Sequence, residues 1–324
     1  MIPRPQTRQE AIQFFSNFDN CKAFMVALRW PDSKVKCPTC GSEKVSWLEN
    51  ARLWKCYSKH ERPKFSLKTG TIFEDSPLGL DKWLPVMWLL VNAKNGISSW
   101  EIHRAIGVTQ KTAWFMLQRC RLAMQDELTG GSLGGEVEVD ETFIGGKARN
   151  MHKERKRRVQ KEGGRNAGGK STVMGMLERG GKVRASVIPD LTKVSMQPII
   201  RGSVEPGTQI YSDKHGNQWC MAEYEHSMVN HLESYVDGNV HTNGIEDFWS
   251  LLKRSIGGTY VSVEPFHLFR YVDEQAFRFN NRGPMNDAQR FSYAMRKIVG
   301  KRLTYAELTG KTLEGGPSAQ EGPF

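Results

Sequence analysis

Glu136-Val137-Glu138-Val139-Asp140-Glu141-Thr142-Phe143 sets the apolar Val137, Val139 and Phe143 in alternation with polar residues. Successive side chains of a strand point to opposite faces, so this period of two reads as a half-buried β-strand. The stretch follows Thr129-Gly130-Gly131-Ser132-Leu133-Gly134-Gly135, a glycine-rich break that marks the main domain boundary. Downstream, Ser171 to Leu177, Val183 to Ile188 and Thr208 to Tyr211 are further strand candidates. Arg179-Gly180-Gly181-Lys182 looks like a hairpin turn between the first two of them. Helices are expected from about Gly244 to Ile256 and from about Pro265 to Asn280. Strands mixed with helices predict an α/β domain over residues 136–300.

The N-terminal part is of a different kind. Residues 1–30 read as a helical segment with Ile12, Phe15, Phe18 and Phe24 as core contacts. Residues 31–75 are turn-rich with short strands. From Leu80 to Gln125 apolar residues recur at helical spacing, giving a helical region over 80–128. The tail, 310–324, is rich in Gly, Pro and Ser and is predicted to be disordered.

The chain has 324 residues, enough for two or three domains, with 39% hydrophobic residues and a formal net charge of +11. That positive excess points to a polyanionic partner, of which nucleic acid is the commonest. No stretch approaches the roughly 18 consecutive apolar residues of a membrane span, and Met1-Ile2-Pro3-Arg4-Pro5 lacks the apolar core of a signal peptide. A cytoplasmic protein without membrane contact is expected, in which cysteines at close spacing serve metal more readily than disulfides.

Cys37-Pro38-Thr39-Cys40-Gly41 is such a spacing. A CxxC places two thiolates on one tight turn, and a third and fourth ligand are expected 12 to 20 or so residues later. Cys56 and His60 meet that requirement. Four protein ligands imply a structural zinc, because no coordination position is left for substrate. Further on, Ile97 to Met124 holds two helical patterns about Ile106-Gly107-Val108-Thr109. Ser98 or Ser99 can cap the first helix and Thr109 the second, while Gly107 allows the turn. Ala113, Leu117, Cys120 and Met124 form the buried stripe of the second helix. That leaves Gln110, Lys111, Gln118 and Arg119 for base edges and phosphates in a helix-turn-helix reading. Lys147 to Lys170 carries ten Lys or Arg against two acids, and Arg155, Lys156, Arg157 and Arg158 within it would grip a DNA backbone.

Three acids stand in suggestive settings. Asp140 lies in the opening strand, Asp213 follows Ile210-Tyr211-Ser212, and Glu246 lies at a helix start in His241-Thr242-Asn243-Gly244-Ile245-Glu246. Lys253 comes seven residues after Glu246, nearly two turns, roughly 10 Å along the same helix face. Carboxylates of this kind can hold two divalent ions, which stabilise the attacking and leaving oxygens of a phosphodiester displacement. Other readings stay open: Glu138 and Glu141 compete with Asp140, Glu246 can serve as part of a helix cap after Asn243, and Asp213 can open a turn.

Taken together, certain segments resemble the bacterial insertion-sequence transposases that join an N-terminal zinc ribbon to an RNase H-like DDE domain. They are Lys68-Thr69-Gly70-Thr71-Ile72-Phe73, Gly107-Val108-Thr109-Gln110-Lys111-Thr112-Ala113-Trp114-Phe115-Met116-Leu117, Val139-Asp140-Glu141-Thr142-Phe143-Ile144-Gly145-Gly146-Lys147, His241 to Glu246 with Phe248 to Arg254, and Phe277-Arg278-Phe279-Asn280-Asn281-Arg282. The resemblance covers roughly residues 10 to 300. It implies a mixed five-stranded sheet flanked by helices, Asp140, Asp213 and Glu246 as a catalytic triad, and Lys253 as the basic residue two turns after the last acid. It also implies a magnesium requirement, two ions with manganese as a substitute. One departure is visible: where a second CxxC is frequent, this sequence has Cys56-Tyr57-Ser58-Lys59-His60. The expected activity is binding of element ends in double-stranded DNA and hydrolysis there, followed by attack of the freed 3′ hydroxyl on target DNA. Pairing two ends implies a homo-oligomer. A non-enzymatic DNA-binding regulator and a structure-specific nuclease of the same superfamily are the alternatives.

Overall fold

The computed structural model describes residues 5–125, 132–145, 157, 170–213, 221–229 and 241–310. The chain divides into two compact units, one built from residues up to Met124 together with those from Gly283 on, the other from Gln125 to Arg282.

The first unit opens with α1 (Arg8–Phe15) and α2 (Phe18–Arg29). The sequence suggests one helical segment here, and Asn17 explains the break: its side chain accepts the backbone N–H groups of Asp19 and Asn20 and starts a new helix. Phe15 and Phe24 are buried, but Ile12 is 46% exposed and is not a core contact. A three-stranded antiparallel sheet follows, made of β1 (Val45–Leu48), β2 (Leu53–Cys56) and β3 (Lys64–Phe65). Trp30, Trp47 and Phe65 all pack around Trp54. Then come α3 (Leu80–Asn92), α4 (Ser99–Ile106) and α5 (Gln110–Leu122). Helix α3 is apolar on nearly every side, from Trp83 to Val91, and accordingly lies in the middle of the unit.

The C-terminal residues complete this first unit. Phe291 packs with Phe15, Phe24 and Trp88 at centroid distances of 5.6, 5.5 and 5.1 Å. Ile72 N–H donates to the Ile298 carbonyl, and Gly300 N–H donates to that of Gly70. The unit that holds the large sheet therefore ends at Arg282, short of the boundary near 300 read from the sequence. The reason is that the aromatic face around Phe291 is buried by α1, α2 and α3.

The second unit is a mixed five-stranded sheet flanked by helices. Its strands are β4 (Glu136–Ile144), β5 (Ser171–Glu178), β6 (Val183–Ile188), β7 (Gln209–Asp213) and β8 (Glu225–Val229), in the spatial order β6-β5-β4-β7-β8. The first three form an antiparallel meander, and β4-β7-β8 pair in parallel. Alternation along β4 sends Val137 and Val139 to one face, where they join Met174, Met176 and Ile210 under Met196 and Ile200 of α6 (Lys193–Ser203). On the other face Ile144, Val173, Leu177 and Val183 pack under α7 (Asn243–Arg254) and α8 (Leu268–Asn281) through Ile245, Phe248, Trp249, Leu252, Leu268 and Val272. Two further helices, α9 (Asp287–Arg296) and α10 (Tyr305–Thr309), belong to the first unit. Among the described residues no helix is long and apolar enough to cross a membrane. Arg155, Lys156 and Arg158 of the basic run, and the tail after Gly310, lie outside the described residues, while Arg157 is described and exposed.

Candidate active site

Two of the acids named from the sequence lie on neighbouring parallel strands. Glu138 of β4 lies level with Tyr211 of β7, and Asp140 and Asp213, each two residues on, stand toward the same end of the two strands. Strand alternation then sets Asp140 on the face covered by α7. There the indole N–H of Trp249 donates to Asp140 Oδ2 at 2.8 Å. Glu246 lies one turn earlier on α7, exposed, and accepts a hydrogen bond from the Thr242 hydroxyl at 3.2 Å. Lys253 is also exposed, two turns further along the helix.

Close approach of α7 depends on Gly175, the cross-strand partner of Asp140. A Cβ there would stand 2.7 Å from the Trp249 ring and 2.8 Å from Ile245 Cδ1. The electrostatics follow from this packing. Burial pushes the Asp140 carboxyl up to about 6, opposed by the Trp249 and backbone hydrogen bonds and reinforced by the negative charges of Asp213 and Glu246. Glu141 is pushed up to about 7 by burial, and then by Asp213 and Asp140. It shares the opposite strand face with Val137 and Val139, away from α7. Glu138 is on the α7 face but is engaged by Arg179 and by the backbone of Ile245. Of the four β4 acids, Asp140 is thus the one whose carboxylate accepts the Trp249 indole N–H.

The candidate zinc ligands come closer together than the acids. Sγ of Cys37, Cys40 and Cys56 and a ring nitrogen of His60 all lie within 4.8 Å of one another, the one such donor group among the described residues. Cys37 Sγ is 3.5 Å from His60 Nε2, and Cys40 Sγ is 3.6 Å from Cys56 Sγ. Ligands around a tetrahedral zinc with bonds of about 2.0–2.3 Å stand roughly 3.3–3.8 Å apart, so the donor set fits that ion. Gly41, in the left-handed region at φ 73°, lets its N–H return to the Cys37 carbonyl and close the CxxC turn. Burial raises the Cys56 thiol, but the Ser58 N–H, His60 and Cys40 outweigh it and bring it down to about 6.

Two family models match parts of the chain. Residues 132–280 match the family described as ISXO2-like transposase domain, and residues 17–58 match the family described as Transposase zinc-ribbon domain. Both matched families are domains of transposases. A Haemophilus influenzae protein described as "Uncharacterized transposase-like protein" is 29% identical over 102 residues, 31% of this chain and 82% of that protein. A Halobacterium salinarum protein described as "Uncharacterized protein in transposable element ISH50" is 27% identical over 241 residues, 71% of this chain and 80% of that protein. No solved structure gives a significant match. The zinc-ribbon match stops at residue 58, and it is the structure that brings His60 to the three thiols.

Helices α4 and α5 are joined by a short turn. Ser98 and Glu101 form a reciprocal capping box, Gly107 ends α4 at φ 64°, and the Thr109 hydroxyl accepts from Thr112 N–H to start α5. Lys111 is exposed, and Gln110 is half-buried and donates to Ser99 Oγ. Gln118 and Arg119 do not face outward. Both are buried, and Arg119 donates to the Glu74 carbonyl with its guanidinium 5.3 Å from the Trp83 ring. The second half of α5 packs against α3, so polar residues there serve the interior of the unit. The sequence reading also passed over Gly175, Arg179 and Trp249. Arg179 was read only as a turn residue. A buried acid two residues before Asp140 on the same strand face was the available sign that a cation had to be nearby.

Proposed function

We propose that this protein is a transposase that binds the ends of its element in double-stranded DNA and catalyses metal-dependent cleavage and strand transfer in an RNase H-like domain. The observation that supports the reading is that Asp140 on β4 lies against α7, with Asp213 on the adjoining strand β7 and Glu246 on α7 near enough for their charges to act on it. An array of oxygen donors in which burial, and after it the charges of Asp213 and Glu246, raises Asp140 suits hard divalent cations. Two magnesium ions bound there would offset charge on the attacking and leaving oxygens of the phosphodiester.

The protein's own groups have separate tasks. Asp140 is oriented by Trp249, Glu246 by Thr242, and the exposed Lys253 offers a cation for the DNA backbone next to the reacting phosphate. The Cys37, Cys40, Cys56 and His60 set holds a structural zinc. Helices α4 and α5 act as a helix-turn-helix, with Lys111 and Gln110 at the DNA face and the basic residues 155–158 on the backbone. Two ends must be held together, so the active form is a homo-oligomer.

The test is incubation of the purified protein with a plasmid carrying its own element ends, with and without magnesium. Cleavage at the ends and joined products that need magnesium are expected. End binding with no cleavage under any divalent ion would instead identify a DNA-binding regulator.

A further inference from the structure

The three carboxylates named above each lie one or two residues from a member of a second, closed polar network. Glu138, two residues before Asp140, is only 1% exposed, a rare state for an acid unless it is paired. Its Oε2 accepts the Ile245 backbone N–H at 2.9 Å, and Ile245 is next to Glu246. Its Oε1 accepts from Arg179 Nε at 3.1 Å, and His241 Nδ1 lies 3.3 Å from the same oxygen. Arg179 also donates to the His241 carbonyl at 2.8 Å and pairs with Glu136 at 3.3 Å. The Arg179 guanidinium lies 4.0 Å from the Tyr211 ring, two residues before Asp213, and the Tyr211 hydroxyl donates to Glu136 at 2.9 Å. Strand β4, strand β7, the turn after β5 and the start of α7 are tied together by one guanidinium and two carboxylates.

The local sequence at α7 explains why the network is needed. The Thr242 side chain bonds the Glu246 carboxylate and caps no backbone N–H of the first turn, which leaves those N–H groups to be met from elsewhere. Glu138 meets one of them and sets a negative charge at the positive end of the helix. Gly244 makes room for it, since a Cβ there would stand 2.9 Å from Glu138 Oε2 and 2.5 Å from Leu177. The start of a helix is ordinarily its loosest part, and here it is fastened to the strand that carries Asp140.

We infer that Glu138 and Arg179 are positioning residues that set the spacing of Asp140, Asp213 and Glu246 and so make them able to hold metal. The inference rests on the proposed role of those three acids. Neither residue touches the metal or DNA; each acts through the backbone of β4, β7 and α7. Groups that orient ligands without binding metal contribute about 10–100-fold to metal affinity or activity.

The test uses full-length, zinc-loaded protein without DNA, with manganese as the probe and its bound fraction read by electron paramagnetic resonance. Glu138→Gln, Arg179→Lys and Asp140→Ala are compared with the parent, and melting curves and end-DNA binding are recorded for each. In Glu138→Gln and Arg179→Lys, parental end-DNA binding with manganese affinity weakened about 10–100-fold is expected, with cleavage partly restored at high manganese. Should Glu138→Gln fail to fold, Arg179→Lys, at a partly exposed position, carries the test by itself. Parental manganese affinity and cleavage in the folded variants, alongside loss in Asp140→Ala, would overturn the positioning role alone. Parental manganese affinity in Asp140→Ala would overturn the metal site, and the positioning role with it.

Discussion

Gly175 shows how a single missing methyl group fixes the distance between a helix and a sheet. With no Cβ beneath it, the Trp249 ring settles onto β5 and its N–H reaches Asp140. Gly175→Ala is expected to destabilise the sheet unit by about 1–3 kcal/mol, as overpacking does, and to lower cleavage more than end binding. Urea denaturation and a cleavage assay check the two parts. At His60 the expectation is stoichiometric: about one zinc per parent chain, and weaker retention in His60→Ala under chelator, read by elemental analysis. Unchanged retention would remove His60 from the ligand set. Both residues also mark where the sequence was and was not informative. The Cys37, Cys40, Cys56 and His60 set was legible because ligand spacing along a chain is itself a constraint. Asp140 could not be told from Glu138 and Glu141 by spacing, because all three are acids in one strand. The helix packed on one face sets Glu141 apart, and the bonds of Glu138 to Arg179 and Ile245 separate it from Asp140.

Among the elements, α5 is where pattern and structure part. Its first half carries the exposed Lys111, and its second half buries Gln118 and Arg119 against the rest of the unit. Lys111→Ala should leave stability unchanged and weaken DNA binding, lowering the salt dependence of log K by about one unit for a lost phosphate contact. Arg119→Ala should do the reverse, lowering the melting temperature through lost packing, with DNA affinity following only the folded fraction. Parental melting of Arg119→Ala would contradict its interior role. In α8, buried Arg278 pairs with Glu274, which also accepts from the Tyr260 hydroxyl. Arg278→Met leaves that carboxylate without its cation and is expected to cost about 3–5 kcal/mol, measured by chemical denaturation. Strands β4, β5 and β6 were legible because alternation and a Gly-Gly turn are local signals. Strand β8 is a short edge strand with His226 and Ser227 in its middle, and no local pattern announced it.

On the scale of the whole molecule, the division into a part with the Cys37, Cys40, Cys56 and His60 cluster and a sheet domain follows from composition shifts along the chain. The return of residues 283–310 to the first unit does not, because it is decided by the aromatic surface around Phe291 and by backbone bonds to residues 70 and 72. Under the proposed function, end recognition falls to the first unit and chemistry to the second. The central claim is that Asp140, Asp213 and Glu246, set far apart in sequence, act as one site. The direct measurement is magnesium-dependent cleavage of element-end DNA by the parent and by Asp140→Ala, Asp213→Ala and Glu246→Ala, with end binding measured on the same preparations. Loss of cleavage in every variant with binding retained is the predicted result. Cleavage at the parental rate in any one of the three would contradict the claim.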